Sequence, residues 1–163
     1  MLKLAPACRC KACSHGCKLG SGLLAKGDEK RLALYLKISE EDLKEKFLEE
    51  VERFNTKLLR PKLIRNKKEV YGKCIFYDDE KGCTVHEAKP LECKTSMGCK
   101  EYGEELSIWF MLNHAVNKDD PESIRQYSQY LRSGGKTLQG AQLNDFVPDK
   151  NKLKKILDYG ILK

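Results

Sequence analysis

Residues 8–17 read C-R-C-K-A-C-S-H-G-C, and four more cysteines follow at Cys74, Cys83, Cys93 and Cys99. Together these are all eight cysteines of the chain. A buried cysteine is a small hydrophobe that can sit anywhere in a core. Four within residues 8–17, in a segment bearing Gly16 with Gly20 and Gly22 close behind, cannot all be core. Thiolate sulfur is a soft ligand that selects zinc, copper(I) or iron–sulfur clusters. The spacing agrees. Cys10-x2-Cys13 is the short chelating step of zinc knuckles and of cluster-binding loops. Cys17 follows after three more residues, as in part of a bacterial ferredoxin run. Lys18 stands where that run has proline, so a ferredoxin fold does not follow.

The cysteines Cys8, Cys10, Cys13, Cys17, Cys74, Cys83, Cys93 and Cys99 are therefore read as the metal-ligand pool. An iron–sulfur cluster is the preferred occupant and zinc the alternative. The two sequence groups are expected to meet at one place. A tetrahedral site takes four ligands, so eight thiols fill two sites, or one with spares. Cys83-Thr84-Val85-His86 also has C-x2-H spacing and, with Cys10 and Cys13, would complete a Cys3His zinc set. Otherwise His86 is a surface residue or a neighbour of the ligands, His15 a plain loop residue, and His114 a packed side chain. Lys11, Lys18, Lys73, Lys89 and Lys94 stand near the thiols in sequence, where cations favour thiolate over thiol.

Outward from the cysteines the chain reads as helical. Residues 1–22 are expected to be turn-rich and irregular. Residues 28–37 read as a short helix with Leu32, Tyr35 and Leu36 on one face. Residues 40–54 read as a second, with Ser39 as cap, Asp42 three positions on, and Leu43, Phe47, Val51 and Phe54 at helical spacing. Residues 73–85 read as two short strands around a turn at Asp78–Gly82, and Pro90 breaks any helix after them. A helix over 104–117 would bury Trp109, Leu112 and Val116. Another starts at Asp120-Pro121 and stops at Gly134-Gly135. Residues 136–148 are a loop, and 149–158 a terminal helix. The fold class is mainly α: a single small domain of about five helices, with a short β-hairpin and two cysteine-rich metal-binding loops. It divides into a cysteine-cluster region, 8–100, and a C-terminal helical extension, 104–163.

The chain has 163 residues, 40% of them hydrophobic and 34% charged, with a formal charge of +7. That length supports a real core without metal. The positive surplus is spread out; the short basic runs are Arg60 to Lys68 and Lys150 to Lys155. Nucleic-acid binding calls for a more concentrated stripe. The longest strongly apolar run, Ile108–Leu112, is far too short to span a bilayer. The N-terminal M-L-K-L-A-P-A-C-R-C lacks the apolar core of a secretory leader. The expectation is a cytoplasmic protein whose reducing surroundings disfavour disulfides.

The chain resembles the YkgJ-type cysteine-cluster family, the CxxCxxxCC zinc- or iron-chelating domain. The first motif answers to C-K-A-C-S-H-G-C, residues 10–17. Next come Asp28, Arg31, Leu32 and Ala33, then I-S-E-E-D-L at 38–43. The last motif is Cys74…Cys83-Thr84-Val85-His86-Glu87-Ala88-Lys89-Pro90-Leu91-Glu92-Cys93-Lys94. Lys18 replaces the second cysteine of the family's doublet, Lys89 and Lys94 replace arginines, and His86 replaces a tyrosine. The resemblance implies a metal-chelating domain. One branch of the family resembles flagellin lysine methylases.

Three functions follow as expectations. The first is a binding module with a structural or redox-active metal and, beyond the metal or cluster, a protein partner. The second is an iron–sulfur-dependent enzyme such as a protein lysine methyltransferase. The third is a zinc-dependent nucleic-acid-binding protein. No catalytic residue is singled out, and Gly20-Ser21-Gly22 reads as a turn, not a nucleotide loop.

Overall fold

The computed structural model describes residues 4–66 and 68–159. Met1–Lys3, at the start of the stretch read for a leader, and Lys67, inside the first basic run, lie outside the described residues. The architecture is mainly α. In chain order the elements are α1 (Lys11–Leu19), α2 (Asp28–Leu36), α3 (Glu40–Phe47), β1 (Leu48–Arg53), β2 (Thr56–Pro61), β3 (Leu63–Ile64), β4 (Lys73–Cys74), β5 (Tyr77–Asp78) and β6 (Gly82–Cys83). A 3-10 turn at His86–Ala88 follows, then α4 (Leu91–Thr95), α5 (Gly103–His114), α6 (Pro121–Arg132), α7 (Leu143–Phe146) and α8 (Lys150–Asp158). The described residues thus hold eight α-helices where about five were expected. The additions are the short α4 and α7, and α1.

Two expectations are corrected. The N-terminal cysteine run is not irregular throughout: residues 11–19 are helical, because the Cys10 sulfur caps them by accepting from the Cys13 N–H at 3.5 Å. The helix expected over 40–54 stops at Phe47. Its start is as read, with Ser39 Oγ accepting from the Asp42 N–H at 3.0 Å. From Leu48 the chain runs as strand β1, paired with β2. The linking residues Phe54 and Asn55 have φ of 48° and 56°, the left-handed pair that a two-residue hairpin turn requires.

The chain divides into two compact units. The first takes in the chain up to Val51 and Leu58–Ser107. Its core packs Leu24, Leu32, Ala33, Leu43, Leu48, Phe76, Val85 and Ala88 around Cys74, with Phe47 stacked on Phe76 at 5.5 Å. The hairpin read around Asp78–Gly82 is present as β5 and β6, with Tyr77 opposite Cys83. β4 turns away from it and pairs antiparallel with β3, Cys74 opposite Leu63. A smaller apolar group, Ala5, Met97 and Leu106, has Cys8 and Cys13 packed against it. The first basic run is largely engaged: Glu49 accepts from both Arg60 and Arg65, and Lys62 Nζ donates to the Glu45 carbonyl.

The second unit takes in Glu52–Lys57 and the chain from Ile108 on. Ile124, Val147, Leu153 and Ile156 form its core. The buried Tyr127 donates its hydroxyl to the Ala141 carbonyl at 2.7 Å and stacks against Tyr130. Along α5, Ile108 and Phe110 are buried, whereas Trp109, Leu112 and Val116, expected in the core, are only half-buried. The imidazole of His114 packs on Phe110 at 4.7 Å between centroids. Among the described residues no helix is long and apolar enough to cross a membrane.

Candidate metal centre

The eight cysteines do not sort in space as they sort in sequence. Cys8, Cys10, Cys13 and Cys99 form one group, their sulfurs all within 4.8 Å of one another. Cys13 and Cys99 stand 3.4 Å apart, and Cys8 and Cys99 3.7 Å. Cys99, nearest in sequence to Cys93, thus joins the N-terminal trio. Cys17 leaves that trio. All eight thiols are free.

Helix α1 makes this division. Cys10 is its cap and Cys13 lies in its first turn, so both sulfurs sit at the helix N-terminus. Cys17 is one turn beyond Cys13, where α1 packs against β4 and β6. The partial positive charge of a helix N-terminus favours thiolate. The Cys10 thiol is held down to about 7, first by the Cys13 N–H and then by the neighbouring thiols Cys8 and Cys13. Cys13, less exposed, is pushed up to about 12, first by desolvation and then by its hydrogen bonds with the other thiols. Cys10 is therefore the more readily ionised of the two, and Cys13 is held more firmly as the neutral thiol.

Asp28 and Arg31 support the cysteine-bearing segments from α2. The Asp28 carboxylate is buried and accepts from the Ala25 N–H (2.9 Å), the Leu91 N–H (2.7 Å) and Arg31 Nη2 (2.6 Å). Arg31 also donates to the Lys89 carbonyl at 3.0 Å. Asp28 and Arg31 together clamp the Lys89-Pro90-Leu91 turn to α2. That turn sets the position of Cys93 two residues on. It also sets that of Lys89, whose ammonium donates to the Cys8 carbonyl at 3.3 Å.

No imidazole belongs to the tight group. His86 is buried but outside it, and its pKa is lowered by desolvation and by the charges of Lys89 and Arg9. Of the Cys3His set read from Cys83-x2-His86, Cys10 and Cys13 stand instead with Cys8 and Cys99. His15 is exposed on α1. Spacing could not have found the Cys8–Cys99 approach, which joins residues 91 apart.

The donor set of the tight group is four soft sulfurs, the set that tetrahedral zinc and iron sites use. Comparison with family models matches residues 9–128 to the family described as "CxxCxxCC: Putative zinc- or iron-chelating domain". The chain belongs to this family. The CxxCxxCC match takes in every cysteine except Cys8 and extends through α5 into α6. As a CxxCxxCC protein this chain chelates through cysteine, in keeping with the resemblance read from its motifs. Comparison with curated proteins returns no match, and comparison with solved structures returns none either.

Proposed function

We propose that this CxxCxxCC protein is a zinc-binding module in which Cys8, Cys10, Cys13 and Cys99 hold a single tetrahedral ion. Spacing carries the reading. Four thiolates about 2.3 Å from one tetrahedral zinc stand about 3.8 Å from each other. The closest sulfurs here stand 3.4 and 3.7 Å apart, near that separation. Such a site leaves no open position for substrate, so its contribution is structural. It joins the segment before α1 to the loop between α4 and α5. The reading includes a reducing compartment, the cytoplasm, since thiols this close would oxidise to disulfides elsewhere.

Elemental analysis of the full chain, purified under reducing conditions without chelator, tests this. The expected result is one zinc per chain that Cys99→Ser removes. A zinc content unchanged by Cys99→Ser, in a protein with the wild-type circular dichroism, would overturn it.

A further inference from the structure

The positive charge that reads as spread out along the sequence is gathered by the fold. Residues 1–27 and 58–68 hold ten Lys and Arg and no Asp or Glu, whereas the rest of the chain holds 21 Lys and Arg against 24 Asp and Glu. Both stretches belong to the first unit, and hydrogen bonds stitch one to the other. The Leu24 N–H donates to the Leu59 carbonyl at 2.8 Å, and Ser21 Oγ donates to the Pro61 carbonyl at 2.6 Å. On α1, Lys11, His15 and Lys18 are exposed and recur at i, i+4 and i+7, so one face of the helix is basic. Lys68 is exposed as well. Among the described residues, Lys11, Lys18 and Lys68 make no ion pair. Arg60 and Arg65 share the single carboxylate of Glu49, which leaves that trio net positive.

Where the two stretches meet, large apolar side chains stand in water. Leu19 is 51% exposed, Ile64 58%, Val70 82% and Tyr71 71%. Such residues scattered singly are ordinary, but a group of them marks an interaction site. Backbone contacts make these four a group. The Gly72 N–H donates to the Leu19 carbonyl at 3.3 Å, which sets Tyr71 beside Leu19. Gly72 also lies against β3: a Cβ there would stand 2.6 Å from the Ile64 carbonyl oxygen and 2.7 Å from Arg65 Cγ, so the close approach requires glycine. Arg65 Nε donates to the Val70 carbonyl at 3.4 Å. Glu69, the acid beside Val70, donates its N–H to the Asn66 carbonyl and accepts from the Asn66 side chain at 3.2 Å. Val70 and Tyr71 are thus held out by a loop that is tied at its base.

Two chemistries meet on this surface, cations and exposed aliphatic side chains. A nucleic-acid strand would use the cations, but it stacks its bases on aromatic faces, and of the four apolar side chains Tyr71 alone is aromatic. An anionic bilayer uses both. Lysines stay at the level of the headgroups while apolar side chains enter the boundary with the acyl chains. We propose that Val70 and Tyr71, with Leu19 and Ile64 beside them and Lys18 and Lys68 flanking, dock this protein onto an anionic lipid surface. The docking is peripheral and uses no ion at the four clustered cysteines, so it stands or falls apart from the zinc reading.

The test is co-sedimentation of the full chain with vesicles of phosphatidylcholine, with and without phosphatidylserine. Wild type is expected to sediment with the phosphatidylserine vesicles, to bind the neutral ones far more weakly, and to be released by salt, which screens surface charge. The double variant Val70→Ser, Tyr71→Ser should lose most of the binding while keeping the wild-type circular dichroism. Lys18→Gln and Lys68→Gln should each weaken binding about 5-fold, the worth of one cation near such a surface. Hydrogen exchange on wild type, which needs no variant to fold, should show the peptide carrying Val70 and Tyr71 protected by phosphatidylserine vesicles. The proposal is overturned if wild type binds neither vesicle, if it binds both equally, if that peptide stays unprotected, or if the folded double variant binds as wild type does. Binding to a single-stranded DNA oligonucleotide without binding to the vesicles overturns it in favour of a nucleic acid.

Discussion

The sulfurs of Cys13 and Cys99 lie 3.4 Å apart although 86 residues of chain separate them. The contact joins the first turn of α1 to the loop after α4, and no secondary-structure pairing holds it there. Removing the exposed Cys99 sulfur should therefore weaken metal binding without disturbing the core. Outer partners of metal ligands alone are worth about 10- to 100-fold in affinity, so loss of a ligand should cost at least that. Competition against a chromophoric chelator should show Cys99→Ser binding zinc at least ~10-fold more weakly. Equal affinity would exclude Cys99 as a ligand.

Metal-free protein should reveal the difference between Cys10 and its neighbour. With Cys10 near 7 and Cys13 near 12, alkylation at neutral pH should label Cys10 long before Cys13. Lowering the pH by two units below neutrality should slow Cys10 labelling steeply, because only the thiolate reacts. Peptide mapping after a short pulse measures both. Added zinc should protect both residues.

Asp28 is predicted to matter far beyond its own helix. Asp28→Asn keeps the shape but turns an acceptor of three bonds into a group that also presents N–H donors. A loss of about 3 kcal/mol is expected in denaturant unfolding.

Glu49 gives the pH dependence. Hydrogen bonds from Arg65 first, and from Arg60, hold its carboxyl below the ordinary 4.5. A carboxyl depressed in the folded state adds stability above its unfolded pKa and loses it as the pH falls through the folded one. Wild type should therefore lose stability on acidification below about pH 4.5, and Glu49→Gln should show a flatter profile there. At neutral pH the substitution should cost about 1–2 kcal/mol, because both arginines lose a charged partner. Chemical unfolding at several pH values checks both.

Helix starts were legible because their chemistry is local. Ser39 before Glu40-Glu41-Asp42, and Asp120 before Pro121, both cap as their sequences imply. The end of α3 was not, because the apolar residues of L-E-E-V-E-R, Leu48 and Val51, keep helical spacing and show no strand alternation. Its neighbours Phe47 and Phe54 extend a helical stripe, yet pairing with β2 and the left-handed Phe54-Asn55 turn decide for strand. Asn55 is the one local hint. α1 escaped notice for a chemical reason: its cap is a thiol, outside the usual set of capping side chains. The ligand pool itself was visible as cysteine spacing. Its partition was not, because one turn of helix sends Cys17 one way and Cys13 the other, and the Cys99 contact is purely tertiary.

The approach of Cys8 to Cys99 closes 91 residues of chain at one point. An ion bound there, held by the folded chain and released when the sulfurs part, is a cross-link that can be withdrawn. Fold stability then rises with the logarithm of free zinc once the ion is present above its dissociation constant. The abundance of the protein in a cell would accordingly follow the supply of metal, so that scarcity is registered as turnover.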